Sequence, residues 1–228
     1  MDVKVFVLGR PGSGKTTAMR RIQEVAHQWG VKTTRVKDYD VLYEMFLGDE
    51  REQQGRFRRT DFAGFDVLDM TVFDDVLKKM GKSMQSLSSS VSSETNEQVE
   101  KIITIEFARD DYQHALKNFD KTFLQDAYFF FVEADLETCM RRIRQRITFP
   151  MDGERPVDDC HFISDYIMQT YYHKDCEEYV LGQLARDFDL DSGKIIMCRN
   201  EGSLEALLAR VDRFMEQVVP ALSVVGTK

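Results

Sequence analysis

Hydrophobic and polar positions alternate along the chain in a regular order. Five short segments, 3–8, 33–37, 101–106, 127–134 and 194–198, read as buried strands, and long helical stretches separate them. A short apolar run bounded by turn residues is the signature of a strand covered on both faces. Residues 18–29 follow helical spacing, with Met19, Ile22, Ala26 and Trp29 on one side. The closing stretch 204–219 places Leu204, Leu207, Leu208, Val211, Met215 and Val218 on one face, which predicts an amphipathic helix. Alternating strands and helices predict an α/β fold with a parallel sheet covered on both sides.

Between the second and third strands lies an insertion, about 41–100. Its aromatic-acidic part, DFAGFDVLDMTVFDDVL, reads as helical, and the serine cluster SMQSLSSSVSSETNE reads as a flexible loop. No internal repeat is visible, so residues 1–228 are expected to form one domain with excursions.

Composition narrows the class. The chain has 228 residues, 43% of them hydrophobic and 31% charged, with a net charge of −8. That length can bury a full core. Acidic charge argues against general nucleic-acid binding, which relies on basic surface. The four cysteines lack close pairing and read as reduced thiols. No run approaches the roughly 20 apolar residues of a membrane span, so a soluble, cytoplasmic protein is expected.

The most informative stretch is GRPGSGKTT, residues 9–17, between the first strand and the first helix. Gly9, Gly14, Lys15 and Thr16 fit the phosphate-loop pattern G-x-x-x-x-G-K-[ST]. Small residues let successive backbone N–H groups turn inward as an anion nest at a helix N-terminus. Lys15 suits the β- and γ-phosphates, and the Thr16 hydroxyl suits Mg²⁺. The whole loop, Gly9, Arg10, Pro11, Gly12, Ser13, Gly14, Lys15, Thr16 and Thr17, is therefore the expected nucleotide cradle. No N-K-x-D guanine signature is present, and the D-x-x-G at Asp61 has no strand before it. Motor ATPases usually need a longer chain, which leaves small-molecule phosphotransferases.

In a doubly wound sheet, ligands collect at the carboxyl ends of the strands. The second strand ends in KDYD, which offers Asp38 and Asp40 as catalytic carboxylates or helix caps. The third ends in ITIEFARDDY. There Glu106 is placed to hold the metal's water or take a proton, and Arg109 to clamp an acceptor anion. Asp110 and Asp111 read as caps of the next helix. After the fourth strand, Asp135 opens a helix carrying Arg141, Arg142, Arg144 and Arg146. Arg142 and Arg146 share a face. The segment beyond, about 147–176, reads as a lid, with Arg155 riding on it.

The phosphate loop, the acidic strand end with its arginine, and R-I-x-x-R at Arg142 to Arg146 together resemble the nucleoside monophosphate kinase family, the adenylate kinase relatives. That resemblance implies a P-loop fold with five parallel strands in the order 2-3-1-4-5. It also implies adenine packing for Arg142 and phosphate contact for Arg146. The acceptor half departs from the family: D-G-F-P-R and T-G-D-hydrophobic-R are absent, and DYD is closer to the shikimate and gluconate kinase style. Arg56, Arg58 and Arg59 read as a solvated patch, with an acceptor phosphate as the other reading. Cys160, His161, His173 and Cys176 are too irregularly spaced to favour zinc.

The expectation is an ATP- and Mg²⁺-dependent phosphotransferase acting on a small acceptor, without nucleic acid or membrane. The alternative is an ATP-binding regulatory module that meets a protein partner through the 41–100 insertion.

Overall fold

A computed structural model of the chain describes residues 2–60, 64–88, 101–146 and 162–219, the side chains of 85–88 and 146 excepted. Five parallel strands form the central sheet: β1 (Asp2–Leu8), β2 (Lys32–Lys37), β5 (Lys101–Phe107), β6 (Ala127–Glu133) and β7 (Ile195–Arg199). Their order across the sheet is β2-β5-β1-β6-β7. Counted along this sheet alone, that is the expected 2-3-1-4-5.

The period of two along β1 sorts its side chains between two cores. Phe6 and Leu8 enter one core with Ile103, Ile105, Phe129 and Phe131. Val3, Val5 and Val7 enter the other with Ile102, Phe130 and Val132. Helix α1 (Lys15–Gln28) and helix α10 (Leu204–Val218) cover the second core through Met19, Ile22, Val211 and Phe214. The first core is filled by aromatic rings: Phe6 stacks on Phe129 at 5.0 Å and meets Phe119 edge-on at 5.2 Å. Burying each such ring is worth about 1.5–3 kcal/mol.

The insertion differs from its expected helical reading. Helix α2 (Asp38–Glu52) precedes a two-stranded antiparallel hairpin, β3 (Phe57–Arg59) with β4 (Phe65–Val67), and only then comes helix α3 (Thr71–Ser88). Phe65 stacks on Phe46 of α2 at 4.8 Å and meets Phe57 of β3 at 5.5 Å, so tertiary packing holds strands that have no ladder beyond their own. Asp61 lies outside the described residues, as does 89–100 of the serine-rich stretch.

The remaining helices are short except α6. They are α4 (Tyr112–Leu116), α5 (Lys121–Gln125), α6 (Leu136–Arg146), α7 (Asp165–Thr170), α8 (Glu177–Gly182) and α9 (Leu184–Phe188). Asp111 caps α4 by accepting from the His114 N–H at 2.9 Å, and Asp135 opens α6 by accepting from Thr138 N–H at 2.7 Å. Among the described residues no helix is long and apolar enough to cross a membrane.

Candidate active site

The chain leaves β1 at Leu8 and turns through residues 9–14 into α1, at the carboxyl edge of the sheet. Three glycines make the turn sterically feasible. Gly9, Gly12 and Gly14 have φ of 143°, 81° and 110°. A Cβ on Gly9 would lie 2.1 Å from the Val132 carbonyl oxygen, and one on Gly12 would lie 2.5 Å from that of Cys139. Gly14 stands at the N-cap of α1, whose first-turn N–H groups and dipole favour an anion.

The loop is held from several sides. The Gly9 N–H donates to the Tyr112 hydroxyl at 2.7 Å. Burial pushes that phenol well above its ordinary range, so it stays neutral and can accept. Arg10 is buried and points away from the cavity, donating to the carbonyls of Ala134 at 3.1 Å and Lys174 at 2.6 Å. It also lies 3.1 Å from the Glu133 carboxylate at the end of β6. Burial raises the Glu133 carboxyl, and the Arg10 charge only partly pulls it back. The Cys176 thiol donates to Glu133 at 3.2 Å and is itself raised by burial. On the other side, Asn200 Nδ2 and Arg142 both donate to the Ser13 carbonyl, at 2.6 and 3.4 Å. Arg142 donates a second bond to the Asn200 carbonyl at 2.8 Å.

A cavity of about 500 Å³ opens over this loop. Its floor is Pro11, Gly12, Gly14, Lys15, Thr16 and Thr17. Lys15 Nζ donates to the Arg10 carbonyl at 3.0 Å, curled over the loop. Gly9, Arg10 and Ser13 do not line the cavity and support the loop from behind. One end of the cavity is bounded by Arg142, Asn200, Gly202, Leu204 and Leu207. The lining also takes in Phe65 and Val67 of the hairpin, and Asp38 and Glu106 at the carboxyl ends of β2 and β5.

These two carboxylates are held by arginines. Glu106 accepts from Arg35 at 2.6 Å, one strand over. Asp38 accepts from Arg109 at 2.6 Å and from the Ala108 N–H at 3.3 Å. Asp40 sits in the first turn of α2, half-exposed and 3.8 Å from Lys37, and is not a wall of the cavity. Arg109 also departs from its expected place at an acceptor anion. Its guanidinium lies behind the wall, between Phe73 and Phe107, and donates to the carbonyls of Ala108 and Phe73. Burial opposes its charge, and the Asp38 carboxylate together with the Tyr171 and Tyr172 hydroxyls more than compensates.

Arg142 is thus brought to the phosphate loop. Arg146 lies at the last position of α6, and its side chain is outside the described residues. Arg144 pairs with Asp165 on the exposed face. Of the expected lid, 147–161 lies outside the described residues, Arg155, Cys160 and His161 included. Its remainder contributes Phe162, Ile163, Ile167 and Tyr172 to the cavity. His173 is exposed against the Thr170 carbonyl, and among the described residues no group of three or more His, Cys, Asp or Glu is placed to hold a metal. Arg56, Arg58 and Arg59 are paired with Asp69 and Asp75, Asp66, and Glu50, and none lines the cavity. Arg35, Tyr112 and Asn200 escaped sequence reasoning, because a lone polar residue carries no spacing that marks it.

A family model described as an AAA domain matches residues 5–162. No curated protein matches the chain. Among solved structures, the chain is similar to a gluconokinase from Sinorhizobium meliloti 1021, with 13% identity over 96% of this chain and 97% of that one and a TM-score of 0.49. It is similar to a shikimate kinase from Acinetobacter baumannii in complex with shikimate, with 12% identity over 96% and 94% and a TM-score of 0.46. It is also similar to an APS kinase from Mycobacterium tuberculosis in complex with AMPPNP and APS, with 13% identity over 94% and 98% and a TM-score of 0.48.

Proposed function

We propose that this chain, which belongs to the AAA domain family, is an ATP-dependent phosphotransferase that moves the γ-phosphoryl group to a small acceptor. Family membership gives the nucleotide loop and leaves the reaction to the site. One observation carries the reading: a single cavity is lined both by the phosphate loop and by two carboxylates, Asp38 and Glu106, at neighbouring strand ends.

In this reading the loop N–H groups and Lys15 hold the β- and γ-phosphates, and Arg142 neutralises charge as the γ-phosphoryl leaves. The order of the motifs supports a kinship with nucleoside monophosphate kinases on the donor side, where Arg142 and Arg146 would serve adenine and phosphate. Arg109 acts at one remove, as a positioning residue for Asp38. The Thr16 hydroxyl and the Glu106 carboxylate are hard oxygen donors lining one cavity, which suits Mg²⁺. Bound there, Mg²⁺ would supply charge neutralisation at the phosphate oxygens. Most of the catalysis is positioning and electrostatics.

The test is ADP release from ATP and Mg²⁺ with a panel of nucleosides, nucleoside monophosphates, sugar acids and neutral alcohols. One acceptor raising the rate far above background supports a kinase. A flat panel with slow hydrolysis moves the reading to an ATP-binding regulatory module.

A further inference from the structure

We infer that the acceptor is an uncharged alcohol on a flat apolar body, and that the described residues of the site disfavour a phosphorylated or carboxylated one; this rests on the phosphotransferase reading above.

The far half of the cavity has the chemistry of such a molecule. Its walls are Tyr39 and Leu42 of α2, Phe65 and Val67 of β4, Phe73 of α3, and Tyr172. The rings are rigidly stacked: Tyr39 lies on Phe65 at 6.0 Å and 14°, and Phe73 on Tyr171 at 4.6 Å and 20°. Preformed aromatic walls of this kind take a flat ligand at little ordering cost.

Charge decides against an anion. The cations that line this half are Arg35 and Lys37, facing Glu106 at 2.6 Å and Asp40 at 3.8 Å. Asp38, the other lining carboxylate, faces Arg109 at 2.6 Å. Each cation here already has its carboxylate, and the charge of a Mg²⁺ shared by Thr16 and Glu106 would be taken up by the nucleotide's own phosphates. The arginines of the insertion are committed to their own acids outside the cavity. A phosphate dianion entering this half would therefore be buried, among the described residues, against carboxylates whose countercharges are already engaged. Burial without a free partner is what makes a charge costly.

The transfer step balances with these groups. The acceptor hydroxyl oxygen forms the new bond to the γ-phosphorus. The bond from that phosphorus to the β–γ bridging oxygen breaks, and its electron pair leaves with ADP. The hydroxyl proton passes to the Asp38 carboxylate, which Arg109 and the Ala108 N–H hold in place.

The experiment compares matched acceptors: adenosine, cytidine and thymidine against their 5′-monophosphates, and benzyl alcohol against gluconate and shikimate, with ATP binding measured separately by calorimetry using a non-hydrolysable analogue. At least one uncharged aromatic-bodied alcohol is expected to exceed every anionic acceptor in kcat/KM by about 100-fold or more. Val67→Thr is expected to raise its KM several-fold and leave the KM for ATP unchanged, because it sets a hydroxyl into the apolar wall. A monophosphate or sugar acid turned over faster overturns the inference and leaves the phosphotransferase reading standing. ATP binding with no acceptor of either kind overturns both.

Discussion

Asn200, just past the end of β7, donates through Nδ2 to the carbonyl of Ser13 in the phosphate loop at 2.6 Å. Its own carbonyl accepts from Arg142 at 2.8 Å, and its N–H donates to the Glu133 carbonyl at 2.7 Å. One buried residue, through its side-chain amide and its backbone, thereby ties the last strand, the arginine helix and the loop into one unit. A Cβ on Gly14 would fall 2.3 Å from that Nδ2, so the loop and this side chain have no space between them.

Asn200→Ala should leave the Ser13 carbonyl without its strongest donor. The Ser13 carbonyl keeps only the longer bond from Arg142 at 3.4 Å, so the loss should be about 1 kcal/mol, the net worth of one hydrogen bond. Urea unfolding should register that loss, and affinity for an ATP analogue should fall with it. Asn200→Asp keeps the shape, removes the donor and puts negative charge beside the phosphates. It should bind nucleotide more weakly than Asn200→Ala. Equal affinities in the two variants would remove this residue from the nucleotide site.

The Asp38–Arg109 pair should behave as a buried ion pair. Removing Arg109 alone, as in Arg109→Met, strands Asp38 and should cost roughly 3–5 kcal/mol. The Asp38→Asn, Arg109→Met double variant should lose less than the sum of the single losses. A double-mutant cycle by urea denaturation checks this. Additive losses would mean that the two side chains do not depend on each other.

Lys15→Ala should remove the flexible ammonium from the β- and γ-phosphates. Loss of one such electrostatic contact typically costs about 10²–10³ in turnover, and a phosphate-loop lysine acts on both binding and transfer. Turnover should therefore fall by several orders of magnitude, with the melting temperature of the nucleotide-free protein little changed. Near-normal transfer by this variant would sink the phosphotransferase reading.

How much of this was legible in the chain depends on whether a residue signals in a group or alone. The five sheet strands were legible because each is a run, and Gly9, Gly14, Lys15 and Thr16 because the phosphate loop needs them at fixed spacing. The β3–β4 hairpin was not. Three-residue strands have no measurable period, and Phe65, Leu68, Val72 and Val76 fall at helical spacing across the stretch, so only the packing of Phe65 on Phe46 and Tyr39 decides its conformation. Glu106 was placed at the site from its position after an apolar run, but its partner Arg35 sits 71 residues away on another strand. Arg109 looked like an anion clamp because a charged residue at a strand end usually faces ligand. The Asp38 carboxylate, the Phe73 carbonyl and the faces of Phe73 and Phe107 hold it inward instead.

Glycine at position 9 should admit no side chain. Gly9→Ala meets the Val132 carbonyl oxygen at 2.1 Å and requires a φ of 143°, which L-residues rarely adopt. Relief demands movement of backbone on both β1 and β6, so the expected loss exceeds the ~1 kcal/mol of an ordinary backbone preference. Gly30→Ala is the control, because nothing lies within 4 Å of a Cβ there and only the left-handed backbone opposes it. Thermal melts of the two variants should separate clearly, and equal shifts would show that the close approach is not what holds position 9 to glycine.

The Glu133–Arg10 contact predicts a pH dependence with a definite sign. Burial is the largest influence on this carboxyl and raises it above its ordinary value of 4.5, with the Arg10 charge opposing. Below the ordinary carboxylate range both the folded and the unfolded chain carry the proton, and the group makes no difference between them. Between that range and the raised folded value, the unfolded chain has released its proton while the folded chain still holds it. The folded state then binds more protons, so stability contributed by this group is present at low pH and lost as pH rises through the folded pKa. Other carboxylates with lowered values, Asp135 among them, slope the opposite way, so the wild-type curve alone does not isolate it. Glu133→Gln removes the titration while keeping an acceptor near Arg10 and Cys176. The difference in urea midpoint between Glu133→Gln and wild type should therefore grow in favour of the variant as pH is raised from about 4 towards about 8. A difference that instead moved in favour of wild type across that interval would mean that Arg10 holds Glu133 ionised and that the phosphate loop is backed by a permanent ion pair, and parallel curves would mean that folding leaves this carboxyl unshifted.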